Sequence, residues 1–396
     1  MKKSWIVLSL ITCIPISIHC TGIQYDIKGA DNNLPGFSYF QDKCISLVDS
    51  CVIALDGQRL YVSKNLGQTW SEGPKVPNKE IVRMAYVFQT GTLFFCTDKG
   101  CYYSQDYDDI IPSSILDVDG TSFDQEAAYH TFSAYEHDGF RTIVDGKEIL
   151  CWGGYNNEEY INPGFVPRIW MTSDNGKTVK CTIRLGEEDS IKARHVHAVN
   201  FNKKDKSFWA QTGDFDGQCH WLQGFYDVYK DIIDWTLIGS GIDYKTGNMQ
   251  FYEDWIYASK DSYPGGIFRV KYEDARNLHE KKELLFTTPN DCLSIYIGNK
   301  GEAVIIMTTT NSTIDPRNFY YSADVKEFIS IEGPIPDFLL KYGYSIYYNT
   351  WGITEDGFML SGIRTRERVG LSEWNFTPSV WLSSVLKEHG INLASQ

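Results

Sequence analysis

The stretch Ser63-Lys64-Asn65-Leu66-Gly67-Gln68-Thr69-Trp70 decides the fold, because it returns as Thr172-Ser173-Asp174-Asn175-Gly176-Lys177-Thr178-Val179. Both fit Ser/Thr-x-Asp/Asn-x-Gly-x-Thr-Trp/apolar, and each follows an apolar run ending in Tyr61-Val62 or Trp170-Met171. The spacing has a local cause. An Asp or Asn side chain accepts the N–H groups of a tight turn, Gly takes the positive-φ position, and the Trp or apolar residue packs under the hairpin. Weaker copies stand at Ser104-Gln105-Asp106, Ser259-Lys260-Asp261 and Ser322-Ala323-Asp324. Between them lie short strand-like runs at 58–63, 93–96, 168–172, 208–212, 255–259, 303–308 and 357–363. Helical periodicity is confined to 379–393.

These repeats resemble the Asp-box (BNR) repeat of sialidase-like β-propellers. The resemblance implies an all-β chain: a β-propeller of four-stranded blades over 21–396 as one domain, with a short C-terminal helix outside it. At roughly 40–50 residues per blade, the length fits six to eight blades, and seven is the expected number. Closure of the ring implies N- and C-terminal strands sharing one blade. Asp-boxes are a folding device and assign no chemistry. Sialidases of this type carry a Phe/Tyr-Arg-Ile-Pro segment near the mature N-terminus. Here no Arg precedes Arg59, which lies in Gly57-Gln58-Arg59-Leu60, and Pro167-Arg168-Ile169 comes too late. The sialidase Arg motif is therefore missing.

Composition narrows the partners. Of 396 residues, 42% are hydrophobic, which excludes disorder. The 37 Lys and Arg against 51 Asp and Glu give a charge of −14, so no nucleic-acid partner is expected. Lys2 and Lys3 precede the apolar run 5–18, too short to span a bilayer at about 20 residues. Residues 1–20 thus read as a signal peptide and the protein as exported: secreted, periplasmic or at the cell surface. A lipoprotein reading at Cys20 offers the one membrane link, through a poor lipobox with His19 before the Cys. Eight further cysteines suggest disulfides, with Cys96 and Cys101 flanking a Thr-Asp-Lys-Gly turn as the clearest pair. A monomer is expected.

The densest chemistry is Arg194-His195-Val196-His197, followed by Thr212-Gly213-Asp214. On a strand, His195 and His197 share a face, which suits a proton-transfer pair or a divalent-metal site. The stretch resembles a recurrent Arg-His-x-His and Thr-Gly-Asp segment of secreted Asp-box proteins, which carries no defined reaction. His130, His137 and Tyr244 are further catalytic candidates, while Arg168, Trp152, Tyr155 and Asp214 are substrate-binding candidates. All are expected at the mouth of the central channel. The function expected is an exported carbohydrate-active propeller that degrades an oligo- or polysaccharide, acidic in the lyase case. The reaction is of lyase or glycosidase type. The alternatives are a non-catalytic glycan- or protein-binding propeller and a divergent exo-sialidase.

Overall fold

Strand runs bounded by Gly, Asn and Asp turns leave each segment able to pair only with its immediate neighbours, so the chain folds as successive antiparallel meanders. The computed structural model describes residues 43–381 except 49–50, 57, 65–68, 78–79, 81, 124–139, 156–165, 187–190, 289–291, 298–300, 302, 308–317, 333–344, 354–358 and 367–373. The expected signal segment, Cys20, His130 and His137 lie outside the described residues.

Among the described residues the strands form seven sheets in chain order. The first holds Lys43–Val48, Cys51–Asp56, Arg59–Ser63 and Ser71–Lys75. The second holds Val82–Val87, Leu93–Thr97, Cys101–Ser104 and Ile111–Pro112. The third has Phe140–Val144, Lys147–Gly153, Arg168–Thr172 and Thr178–Arg184, with Ser114–Leu116 added in parallel at its outer edge. The fourth is His195–Asn202, Ser207–Gly213, His220–Asp227 and Ile232–Ser240. The fifth is Thr246–Tyr252, Trp255–Lys260, Gly265–Lys271 and Glu283–Thr288. The sixth is Cys292–Ile297, Ala303–Met307, Asn318–Ser322 and Ile329–Glu332. The seventh is Ser345–Ile353, Met359–Arg366 and Trp374–Trp381. The first strand of the first sheet touches the first strands of both the second and the seventh, so the sheets close into a ring.

The core lies between sheets, because alternate residues of one strand serve two different layers. Leu150 and Trp152 pack towards the second sheet, among Phe88, Phe94 and Cys96. Ile149 and Cys151 of the same strand pack towards the fourth, against Val196, Phe208 and Ala210. Trp209 and Trp221 repeat the pattern between the fourth and fifth sheets. With both faces covered, the strands His195–Asn202 and Ser207–Gly213 are buried along their whole length.

The Asp174 turn behaves as its sequence demands. Asp174 Oδ1 accepts the Thr178 N–H at 2.9 Å, Thr172 Oγ1 accepts that of Gly176 at 3.1 Å, and Gly176 has φ of 82°. A Cβ on Gly176 would stand 2.4 Å from Phe94 Cδ2, so the turn also seats one sheet against the next. Asp106 and Asp324 accept the N–H groups two and three residues on in the same way. All three turns join the third and fourth strands of their sheets. The Ser259 copy differs, since it falls between second and third strands at the opposite end of its sheet.

Two expectations need correction. Cys96, Cys101, Cys151, Cys181 and Cys219 are free thiols. The strand register does set Cys96 opposite Cys101, but their sulfurs stand 3.1 Å apart without a bond. Cys151 is buried in the layer between the third and fourth sheets, while the Cys181 and Cys219 thiols donate to the carbonyls of Ile183 and Phe215. The expected C-terminal helix does not begin at 379, because 379–381 complete the strand Trp374–Trp381; 382–396 lie outside the described residues. The expected sharing of one blade by N- and C-terminal strands turns on residues 21–42, which lie outside the described residues; the seventh sheet has three described strands.

Candidate functional site

In an antiparallel meander, the start of the first strand and the turn between the second and third strands lie at the same end of a sheet. The Asp turns, between third and fourth strands, lie at the other. Arg194, His195 and His197 begin the first strand of the fourth sheet, and Asp214 follows its second strand. Tyr155 follows the second strand of the third sheet; Lys245, Thr246 and Asp261 sit at corresponding points of the fifth. Three sheets therefore deliver polar groups to one face, away from the Asp turns.

A bulge aims His197. His195 pairs with Gly213 and Val196 with Thr212, but Ala198 pairs with Gln211, so His197 is an extra residue in its strand. The same irregularity recurs near the start of the first strand in the first, second, fifth and sixth sheets. The framework thus supplies the bulge, and the fourth sheet fills it with an imidazole. Thr212-Gly213-Asp214 completes the arrangement. Thr212 Oγ1 donates to the Gln218 carbonyl at 2.7 Å and accepts the His220 N–H at 3.0 Å, which fixes the turn. Gly213 leaves room for the ring, since a Cβ there would lie 2.4 Å from His197 Cε1. His220 donates through Nε2 to the Lys192 carbonyl at 2.7 Å, tying down the segment that carries Arg194.

The donors converge. His197 Nδ1 donates to the Thr246 carbonyl at 2.7 Å, which directs Nε2 towards His195 Nε2 at 2.9 Å and Asp214 Oδ1 at 3.2 Å. Arg194 Nη1 holds Asp214 Oδ2 at 2.7 Å, and Tyr155 stacks on His195 with ring centroids 4.2 Å apart. Asp261 Oδ2 lies 3.7 Å from His197 Nε2 and 3.8 Å from Lys245 Nζ. His195 is fully buried and His197 nearly so, while the Asp214 side chain keeps 24% of its surface exposed.

Their environments drive the two imidazoles apart. Burial pushes His195 below the usual histidine range, against the pull of Asp214. Burial also opposes charge on His197, but the Asp214 hydrogen bond, the Asp261 charge and the Thr246 carbonyl outweigh it and raise its pKa. Burial works against Asp214 too, yet hydrogen bonds from both histidines hold its carboxyl far below the carboxylate range. His197 thus holds a proton more readily than His195, beside a carboxyl that stays ionised. One point between three donor atoms can then hold a proton or a cation.

Other sequence candidates fall elsewhere. Trp152 is fully buried against Phe94 and is no stacking platform. Tyr244 is buried edge-on to Trp221, and its hydroxyl donates to the backbone carbonyls of Ala275 and Arg276, so it supports the strand behind Thr246. Arg168 pairs with Asp117 at 3.3 Å and lies over Phe123. Asp261 and Lys245 were not singled out by sequence. Asp261 is part of the Ser259 copy, whose position between the second and third strands was its one distinguishing mark.

No family model and no curated protein matches the chain. Among solved structures it is similar to a virginiamycin B lyase from Staphylococcus aureus, with a TM-score of 0.50 and 11% identity over 84% of this chain and 93% of that one. YCF48 from Cyanidioschyzon merolae gives 0.44 and 10% over 86% and 98%. A prolyl endopeptidase gives 0.46 and 12% over 88% of this chain; the chain spans about half of its length, 51%. At such identities the likeness is one of fold: the chain is an all-β protein of the propeller type.

Proposed function

We propose that the chain is an exported, seven-bladed β-propeller that binds acidic carbohydrate at the face bearing His195 and His197 and cleaves it by elimination. Each of the seven sheets is read as one blade, and residues 1–20 as the export segment. The observation that carries the reading is the imidazole pair itself, its Nε2 atoms 2.9 Å apart and its pKa values shifted in opposite directions beside a partly exposed Asp214. Elimination next to a uronate needs positive charge against the substrate carboxylate and a group that accepts a proton from carbon. His197, with Arg194 and Lys245 nearby, concentrates the charge. His195 supplies the neutral imidazole, with the Tyr155 ring against it. Phe215 is 55% exposed beside the Arg194 guanidinium and offers a flat ring for a sugar face.

The test incubates the mature protein with a panel of uronic-acid polysaccharides and follows the ultraviolet absorbance of the unsaturated product. The expected result is a rise that vanishes in His195→Ala and in His197→Ala. A flat trace across the panel contradicts elimination; release of reducing ends then separates a hydrolase from a binding protein.

A further inference from the structure

We infer that His195, His197 and Asp214 form a binding site for one first-row divalent transition-metal ion, of which zinc is the type. His195 Nε2 and His197 Nε2 face each other at 2.9 Å, and His197 Nε2 lies 3.2 Å from Asp214 Oδ1. All three donors fall within 4.8 Å of one another. With ligand bonds of about 2.1 Å, the 2.9 and 3.2 Å separations subtend roughly 90–100° at a shared ion, and the His195–Asp214 pair, 3.5 Å apart at its nearest approach, sets the widest angle. Three protein donors on one side of an ion leave its remaining positions open to water or substrate. Two imidazoles and one carboxylate suit zinc, cobalt, iron or manganese; calcium and magnesium prefer all-oxygen sites.

The groups behind the donors are those a metal site uses to aim its ligands. The Nδ1–H of His197 is committed to the Thr246 carbonyl, which leaves Nε2 as its ligating atom. Arg194 occupies Asp214 Oδ2, which leaves Oδ1 for a single bond. Tyr155 clamps the His195 ring, and His195 Nδ1 has no hydrogen-bond partner, so nothing fixes that ring's proton on Nε2. Asp261, held by Lys245, adds a second carboxylate on the open side. With an ion bound, His195 Nε2 is a ligand and not a proton acceptor, and the ion itself supplies positive charge at this face. The inference rests on the same site as the proposed function, not on its substrate.

The full chain, purified without a metal-binding tag and stripped with EDTA, is titrated with Zn²⁺ by calorimetry and with Co²⁺ by visible absorption. The expected result is one ion per chain, no comparable binding of Ca²⁺, and at least a roughly tenfold loss of affinity in His197→Ala and in Asp214→Ala. Circular dichroism checks folding; should either alanine variant unfold, Asp214→Asn keeps the side chain's shape and tests the same ligand. The neighbouring thiols of Cys96 and Cys101 are controlled by Cys96→Ser, in which binding should be unchanged. Absence of binding, binding that survives the site substitutions, or binding lost in Cys96→Ser would each overturn the inference. Because the titration contains no substrate, a bound ion without activity on uronates counts against the elimination reading alone. Full activity after removal of metal counts against the ion alone.

Discussion

Single residues carry the site. Gly213 illustrates how: its missing side chain gives the His197 ring the room to lie across the end of the neighbouring strand. Gly213→Ala should force His197 aside, at an overpacking cost of about 1–3 kcal/mol. Chemical denaturation would measure that cost, and activity or ion binding should fall without any donor being removed. An alanine variant with wild-type function would show that the placement of His197 is not what matters. Period-two reasoning set His195 and His197 on one face, and their Nε2 atoms do meet; the bulge at His197 was invisible because it belongs to strand pairing. Tyr244 misled for a physical reason. Its Gly-flanked sequence looks like an exposed loop, but Gly239 is bare because the Tyr244 ring packs against it, 2.1 Å from where a Cβ would be.

Elements are joined by polar clamps as well as by apolar layers. Asp231, in the turn after the third strand of the fourth sheet, accepts Lys147 at 2.9 Å, Lys180 at 2.6 Å and Ser173 at 2.6 Å from the third. Burial opposes its ionisation, but the hydrogen bonds from Lys180, Ser173, Tyr226 and Lys147 hold its pKa well below normal. A depressed carboxyl stabilises the fold above its unfolded pKa of about 3.9, and that contribution fades as pH falls below it. Asp231→Asn should therefore cost about 1–3 kcal/mol at pH near 7, with the difference from wild type shrinking below about pH 4. Denaturation curves at the two acidities check this, and a gap independent of pH would contradict it. The strand runs themselves were legible: 168–172 matches Arg168–Thr172, and 255–259 lies within Trp255–Lys260. Lys147 and Asp231 were not, since nothing local marks contacts between sheets.

For the whole molecule, the repeat pointed to a ring of antiparallel sheets, and the ring also separates two faces. The Asp106, Asp174 and Asp324 turns lie at one end of their sheets, and the imidazole pair lies at the other. Sequence alone grouped Ser259-Lys260-Asp261 with those turns, because the short pattern does not reveal which pair of strands it joins. Its true place beside His197 emerges only once the meanders are counted. On a chain of net charge −14, Arg194 and Lys245 each stand beside a carboxylate at this face, Asp214 and Asp261. The reading of residues 1–20 as an export segment rests on their charge and apolar run, because the expected Cys96–Cys101 bond is not formed. The central claim is that recognition belongs to the face of His195, His197 and Asp214. The most direct measurement is calorimetric binding of a uronic-acid hexasaccharide to wild type, Asp214→Asn and Asp174→Asn. The account predicts that Asp214→Asn loses binding while Asp174→Asn, at the opposite face, keeps it. Equal binding by all three, or loss in Asp174→Asn alone, would contradict it.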